Sequence, residues 1–407
     1  MEIIMSDTLS AQTKSIVRAT VPALAAHGAT ITAAMYKRLF LDPEVKDLFN
    51  QANQGEDGRQ TKALAHAILA YAQNIDNPAV LGPAVERIAQ KHVGLHIQPE
   101  HYPHVATALL GAIKEILGAA ATDEILAAWG EAFWFLANIL IGREKQIYNH
   151  LRSSEGGWNG WRKFVVASKR PESDIITSFV LQAVDGGPVV GHRPGQYLTF
   201  KFDVPSLPAQ RRNYSISSAP NGMTYRISVK REANGTVSKH LHDRVQEGDV
   251  IDVAPPTGDF HLPERPERPV VLLSGGVGLT PMVSMLETIV DSGVEHPVHY
   301  VHGAQDGRVH AMGAHVRSLA DGRPHLKTAI FYGTPHESDE RGVHFDHDGH
   351  ITIDWLAENT PIQNADFYLC GPRPFLAAFV NGLSKAGVPA ERIHFEFFGP
   401  ADDLAAA

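Results

Sequence analysis

Across roughly the first 150 positions, apolar residues recur three and four apart. They run as Leu24, Ile31, Met35 and Leu39, then Leu64, Ala67, Ile68 and Tyr71, then Val85, Ile88, Ala89 and His92. This spacing predicts amphipathic helices around one shared core. A last long helix is predicted over residues 123–151, with Trp129, Phe133, Leu136, Leu140 and Ile147 on one face. Residues 1–150 therefore read as an all-α domain. The small residues of Ser153-Ser-Glu-Gly-Gly157 mark a linker, 151–160. Beyond it the pattern shortens to strands at 175–184, 197–204, 214–217 and 225–230. The turn dipeptides Asp185-Gly186, Pro194-Gly195, Asn221-Gly222 and Asn234-Gly235 fall between and after them. An antiparallel β-barrel over 161–265 is the expectation. From Pro269, strands at 270–273, 297–302, 326–331, 367–370 and 392–398 alternate with helices starting near Pro281, His310 and Pro374. Alternation of that kind predicts an α/β domain with a parallel sheet over 266–407.

Composition narrows the classes. The 407 residues carry a net charge of −9 and no basic stripe, which argues against a nucleic-acid partner. The single cysteine, Cys370, excludes an intrachain disulfide and any cysteine-based zinc or iron–sulfur site. No apolar run is read as long enough to span a bilayer, and residues 1–10 lack the apolar stretch of a signal peptide. A cytoplasmic monomer is expected.

The informative residues are polar ones on apolar faces. Glu144 continues the stripe of Trp129, Phe133, Leu136 and Leu140, and His92 continues that of Val85, Ile88 and Ala89. A carboxylate buried there needs a partner. Either residue alone is as well explained by a helix end turning to water. Together they suit a haem site, in which an imidazole binds iron and passes its other N–H to an acceptor.

The segment Ala84-Val-Glu-Arg-Ile-Ala-Gln-Lys-His92, followed by Gln98-Pro-Glu-His-Tyr102, resembles the proximal side of bacterial and fungal flavohaemoglobins. The resemblance extends over essentially the whole chain and implies a globin domain at its start. It implies that His92 is the proximal ligand of one haem b, with Tyr102 and Glu144 as its hydrogen-bonding partners. On the distal side it places Tyr36, in Met35-Tyr-Lys-Arg-Leu-Phe40, and Gln60 as hydrogen-bond donors toward dioxygen. Phe49 and Leu64 fall in the haem pocket, which the resemblance also opens to a bound lipid. Read without it, Tyr36 is an ordinary core tyrosine beside Phe40. Lys91, next to the ligand, is either an electrostatic bridge to the flavin domain or an exposed helix-end lysine.

Arg211-Arg-Asn-Tyr-Ser215 resembles the Arg-x-Tyr-Ser motif of ferredoxin-reductase-like flavoproteins. That resemblance places Arg212 at the phosphates of one FAD, and Asn213, Tyr214 and Ser215 along the flavin, with Tyr197 beside them. Gly235-Thr-Val-Ser238 opens a helix after a turn, so Gly235, Val237 and Ser238 can present backbone N–H groups to a phosphate, with Lys230 and Arg231 adding charge. Glu396-Phe-Phe-Gly-Pro400 resembles the terminal segment that covers the flavin. Phe398 is taken as the covering ring, and Phe397, Gly399 and Pro400 as its neighbours. Hydride transfer brings the nicotinamide to the flavin, so Phe398 is expected to move aside.

Gly275-Gly-Val-Gly-Leu-Thr-Pro281 directly follows an apolar run and ends in what reads as an N-cap, Thr280, with proline at the first helical position. Strand, glycine turn and helix in that order form a phosphate cradle. Gly275, Gly276, Val277, Gly278, Leu279, Thr280 and Pro281 are thus assigned to the nicotinamide nucleotide. Cys370, Gly371 and Pro372 resemble the nicotinamide-side turn of the same reductases. The bland alternative there is an inert buried cysteine. NADH and NADPH are not distinguished; Arg308 and Arg341 are candidates to meet a 2′-phosphate. His344, Asp346, His347, Asp348 and His350 crowd together but fit no single helical face and read as a solvated loop.

The flavohaemoglobin resemblance implies a nitric oxide dioxygenase, in which NAD(P)H reduces FAD, FAD reduces haem, and nitric oxide and dioxygen become nitrate. Two rivals share the motifs: an oxygen-binding or sensing globin whose reductase keeps iron ferrous, and a flavin reductase acting on quinones, ferric chelates or lipid hydroperoxides.

Overall fold

The computed structural model describes residues 8–46, 48, 59–204, 207–293 and 295–399. One compact unit ends at Arg152 and a second spans 153–399.

The first unit is helical: α1 (Ala11–Ala19), α2 (Val21–Leu39), α3 (Pro43–Lys46), α4 (Arg59–Gln73), α5 (Gly82–Gly94), α6 (Tyr102–Leu117) and α7 (Asp123–Ser153). Ser10 caps α1, its hydroxyl accepting from Thr13 N–H. The core joins Leu24, Ile31, Met35 and Leu39 of α2 to Tyr71 of α4, Leu109 and Ile113 of α6, and Trp129 and Ala132 of α7. Two of its buried polar groups are satisfied from a neighbouring helix. Tyr71 O–H donates to Ala132 O at 2.8 Å, and Trp129 Nε1 to Thr20 Oγ1 at 3.2 Å. One expectation needs correcting: α7, at 31 residues with a mean hydropathy of 1.6 in its most apolar window, is long and apolar enough to cross a bilayer by those two criteria. Trp129 and Ala132 of this helix are packed in the core of this unit, and Leu140, Glu144 and Ile147 are buried on the same helix.

The second unit begins with six antiparallel strands: β1 (Arg162–Pro171), β2 (Ile176–Ala183), β3 (Tyr197–Phe202), β4 (Gln210–Ser215), β5 (Thr224–Lys230) and β6 (Val250–Val253), with α8 (Thr236–Asp243) inserted. Their order is β4-β3-β6-β1-β2-β5, and a bridge from Ile216 to Ile227 brings the two edge strands together, closing the barrel. Phe164, Phe179, Leu181, Phe200 and Tyr225 fill it. The pattern missed β1 and β6. A register irregularity between Val166 and Ser168 breaks the alternation in β1, and β6 is four residues long. Gly156, within the expected linker, is packed: a Cβ there would lie 2.6 Å from the Val189 backbone.

The parallel sheet follows: β7 (Val270–Gly275), α9 (Leu279–Ser292), β8 (Val298–Ala304), α10 (Gly313–Ala320), β9 (Leu326–Tyr332), β10 (His347–Asp348), α11 (Ile353–Asn359), β11 (Asp366–Cys370), α12 (Arg373–Lys385) and β12 (Ile393–Glu396). The order β10-β9-β8-β7-β11-β12 reverses direction between β7 and β11, the switch point where such sheets bind ligands. Both cradle motifs end there. β12 stops at Glu396, so Phe397 and Phe398 lie beyond the strand expected to hold them.

Candidate functional site

In the helical unit, α5 closes with Ile97 N–H donating to His92 O at 2.9 Å and His96 N–H to Val93 O at 3.0 Å. His96 takes φ 58°, the left-handed position usually filled by glycine. The chain then turns through Gln98, whose N–H donates to His101 Nδ1, and α6 starts at Tyr102. These turns bring three helices to one point. His92 Nδ1 lies 2.7 Å from Glu144 Oε1 and 3.2 Å from the Tyr102 hydroxyl, which itself donates to Glu144 Oε1 at 2.6 Å.

Glu144 is 2 % exposed. With Tyr102 already a donor to the carboxylate, the satisfied arrangement puts the imidazole proton on Nδ1. Nε2 then keeps its lone pair, which is the donor a haem iron requires. Burial first, then the Glu144 charge, push the Tyr102 phenol far above its ordinary range, so it stays a donor. Tyr148, one turn beyond Glu144, was not anticipated; it is buried and bonds Ile97 O at 2.7 Å.

Tyr36 is buried and stacks on Phe40 with centroids 5.5 Å apart, in the same cluster that Leu64 packs against. Lys91 is exposed. Phe49 and Pro400 lie outside the described residues, as does the side chain of Gln60.

In the barrel, Tyr197 is buried, its hydroxyl without a hydrogen-bond partner among the described residues. A Cβ on Gly258 would meet its ring at 3.1 Å. Arg212 is half-buried, bonds only Arg211 O and Gln210 Oε1, and has no carboxylate partner among the described residues. Burial lowers its pKa by penalising the unpaired guanidinium charge, a penalty that an adjacent anion would offset. Tyr214 packs edge-on to Phe200, Ser215 is buried and Asn213 exposed. Gly235 caps α8, where a Cβ would strike Ser238 Oγ, and Val237 and Ser238 are buried behind it. Lys230 and Arg231 do not supply free charge: they pair with Glu232 and Asp243, each at 2.9 Å. Phe397 is partly buried, Phe398 is 47 % exposed, and Gly399 N–H donates to Phe397 O.

The glycine turn and the cysteine turn meet. Register pairs Ser274 with Cys370, and a Cβ on Gly278 would sit 2.1 Å from Cys370 O. Gly276 takes φ 56°. Gly275 and Gly371 both lie against the Phe375 ring, and Pro372 caps α12. The expected start of the following helix is corrected. A 3₁₀ turn over Gly276–Gly278 precedes α9, which begins at Leu279, so Thr280 and Pro281 are inside its first turn. Thr280 Oγ1 donates back to Val277 O instead of capping. Burial, then Glu396, hold the Cys370 thiol well above its ordinary pKa; the same two causes raise Tyr197. Glu396 thus lies within electrostatic reach of the cysteine turn and of Tyr197 in the barrel, a role its motif alone did not assign. Glu287 of α9 was also missed; it accepts from Ala219 N–H and Arg226, fastening the barrel to the nucleotide-binding sheet.

In the crowded loop, Asp346 accepts from Arg317 and Ile330 N–H, His344 accepts from Glu340 N–H, and Asp348 pairs with Arg341.

Three family models match in chain order: Globin over residues 32–140, Oxidoreductase FAD-binding domain over 163–262 and Oxidoreductase NAD-binding domain over 272–381. The chain is 57 % identical to a Flavohemoprotein of Xylella fastidiosa (strain 9a5c) over 99 % of its own length and all of that protein's. It belongs to the flavohemoprotein family. A second member, from Bordetella bronchiseptica, is 48 % identical over 96 % of this chain and 98 % of its own. The crystal structure of a flavohemoglobin from Malassezia yamatoensis with bound FAD and heme superposes with a TM-score of 0.85 at 26 % identity, covering 96 % of this chain and 100 % of that one. The FAD/NAD-binding domain of a nitric oxide dioxygenase from Vibrio cholerae is 38 % identical, with a TM-score of 0.54 over 60 % of this chain and all of its own. All-α, barrel and parallel-sheet domains in this order are the architecture of that family.

Proposed function

We propose that the protein is an NAD(P)H-dependent nitric oxide dioxygenase that removes nitric oxide as nitrate. The observation that carries this is the His92–Glu144–Tyr102 arrangement on a chain that also bears both reductase domains. Haem, FAD and NAD(P)H, when bound, would supply the electron route from nicotinamide through flavin to iron that the conversion of nitric oxide and dioxygen to nitrate needs.

The residues set up that chemistry. His92 offers Nε2 to iron, while Glu144 and Tyr102 fix its tautomer and ring orientation. An anionic partner on Nδ1 raises the basicity of Nε2, which favours oxygen activation over storage. Tyr36 and, by its place in the family's motif, Gln60 would be the distal donors, and Phe49 and Leu64 would belong to the haem pocket. Arg212 and the N-terminus of α8 would hold the flavin phosphates, Tyr197, Tyr214 and Ser215 would line its ring, and Phe398 would cover it. The glycine turn and Cys370-Gly371-Pro372 would seat the nicotinamide nucleotide, and the exposed Phe398 would have to move aside for it.

Aerobic nitric oxide consumption with NADH is the test. His92→Ala should lose both the coordinated-haem spectrum and consumption, and Tyr36→Phe should slow consumption with haem retained. Normal turnover in the His92→Ala protein would refute the proposal.

A further inference from the structure

The sheet order puts the C-terminal ends of β8 and β9 beside the glycine turn at the end of β7. With strands about 4.8 Å apart, that region lies one to two strand spacings from the pyrophosphate cradle, the distance at which a dinucleotide's adenosine ribose falls. The loops after β8 and β9 form an open groove there of about 500 Å³, lined by Gln305, Asp306, Arg308, Thr334, His336 and Glu337 among others. The groove is preformed: Asp339 Oδ2 accepts from Gly307 N–H at 3.0 Å and His336 N–H at 2.8 Å, tying one loop to the other.

The cation in this groove is already committed. Arg308 NH2 lies 2.5 Å from Asp306 Oδ2, its Nε is 3.2 Å from the same oxygen, and its backbone N–H donates to Asp306 Oδ1 at 3.0 Å. The Asp306 carboxylate is 4 % exposed. Asp174, whose N–H bonds Arg308 O, and Asp339 add further negative charge toward the guanidinium, and Glu337 lines the groove. The other basic side chain of the lining, His336, has Nδ1 against Ser338 Oγ at 2.8 Å. Arg341, the second candidate cation, is taken by Asp346 O and Asp348. A 2′-phosphate placed here meets a net negative field, whereas a ribose 2′-hydroxyl meets acceptors it can donate to.

We propose that Asp306 sets the nucleotide preference of the reductase: by holding Arg308 it makes this chain select NADH over NADPH. This rests on the NAD(P)H-dependent function above. Removing the carboxylate charge frees the guanidinium to receive a 2′-phosphate, as arginines do in NADP-binding folds.

The test is equilibrium binding of 5′-AMP and adenosine 2′,5′-bisphosphate to the full holoprotein, together with flavin reduction by NADH and NADPH. Wild type should favour 5′-AMP by about tenfold or more. Asp306→Asn, which keeps the shape and an oxygen for Arg308 N–H, should narrow or reverse that ratio by about tenfold. Adding Arg308→Gln should abolish the gain in bisphosphate binding. Glu337→Gln, exposed and harmless to folding, should narrow the ratio by about twofold and serves where Asp306→Asn does not fold. A wild type that prefers the bisphosphate, or ratios that no variant moves, would overturn the proposal. Failure of both nucleotides to reduce the flavin would instead strike the function on which it rests.

Discussion

Around His92, three side chains from three helices converge, whereas around Gly278 almost no side chain takes part. The first site is made of a ring nitrogen, a phenol and a carboxylate within 3.2 Å of one another. The second is made of two backbone turns that approach so closely that a single methyl would collide with Cys370 O. The difference has a chemical reason. A metal ligand must be tuned, and tuning needs side-chain donors and charges. A diphosphate must be surrounded, and backbone N–H groups do that best where Cβ atoms are missing. Substitutions should accordingly hurt the two sites in different ways.

The largest effect is expected from acid. Burial holds His192, His299 and His310 at about 4 and His302 well below its ordinary value of 6.5, and all four belong to the reductase unit. They are neutral when folded and take up protons when unfolded, so stability falls as pH drops from about 6.5 toward 4 and is regained on return. Each contributes a slope of up to about 1.4 kcal/mol per pH unit. Urea unfolding followed by flavin fluorescence should shift to a markedly lower midpoint between pH 7 and pH 5. An unmoved midpoint would show that these histidines are not buried neutral.

Next comes Gly278→Ala. Its Cβ would lie 2.1 Å from Cys370 O, so one turn must move, at a cost of about 3 kcal/mol. Flavin reduction by NADH should fall sharply while the haem spectrum stays normal. Loss of haem with intact flavin reduction would contradict the assignment of this turn.

Glu144→Gln tests the other kind of site. It keeps the volume but replaces the carboxylate that orients His92, and haem affinity or nitric oxide consumption should drop by about 10–100-fold. Flavin reduction by NADH should be unchanged. An unaffected haem and turnover would mean that the carboxylate merely satisfies Tyr102.

The smallest effect separates two uses of glycine. Gly276 has φ 56° but open space where a Cβ would go, so Gly276→Ala should cost only about 1 kcal/mol. A mild loss of thermal stability with nucleotide binding kept is expected. A loss as deep as that of Gly278→Ala would show that this residue too is needed for close approach.

Periodicity alone marked the three architectures, because helix and strand repeats of 3.6 and 2 are local properties of a chain. The motifs were equally readable, since strand, glycine turn and helix start are adjacent in sequence. Irregular elements were not: the bulge in β1 hid its alternation, and α9 began two residues before its proline because the 3₁₀ turn led straight into it. Pattern could put Glu144 and His92 on apolar faces. It could not bring them within 2.7 Å, because residues 52 positions apart meet only when α5, α6 and α7 are packed. The charges behaved likewise. Lys230, Arg231, Arg308 and Arg341 looked available as free cations in the linear chain, yet folding handed each of them a carboxylate. Arg212 was left without one among the described residues, and that too was settled by packing. Local periodicity chooses the elements; pairing between distant charges is an outcome of three-dimensional proximity, since Coulombic attraction decays with distance through space and not along the sequence.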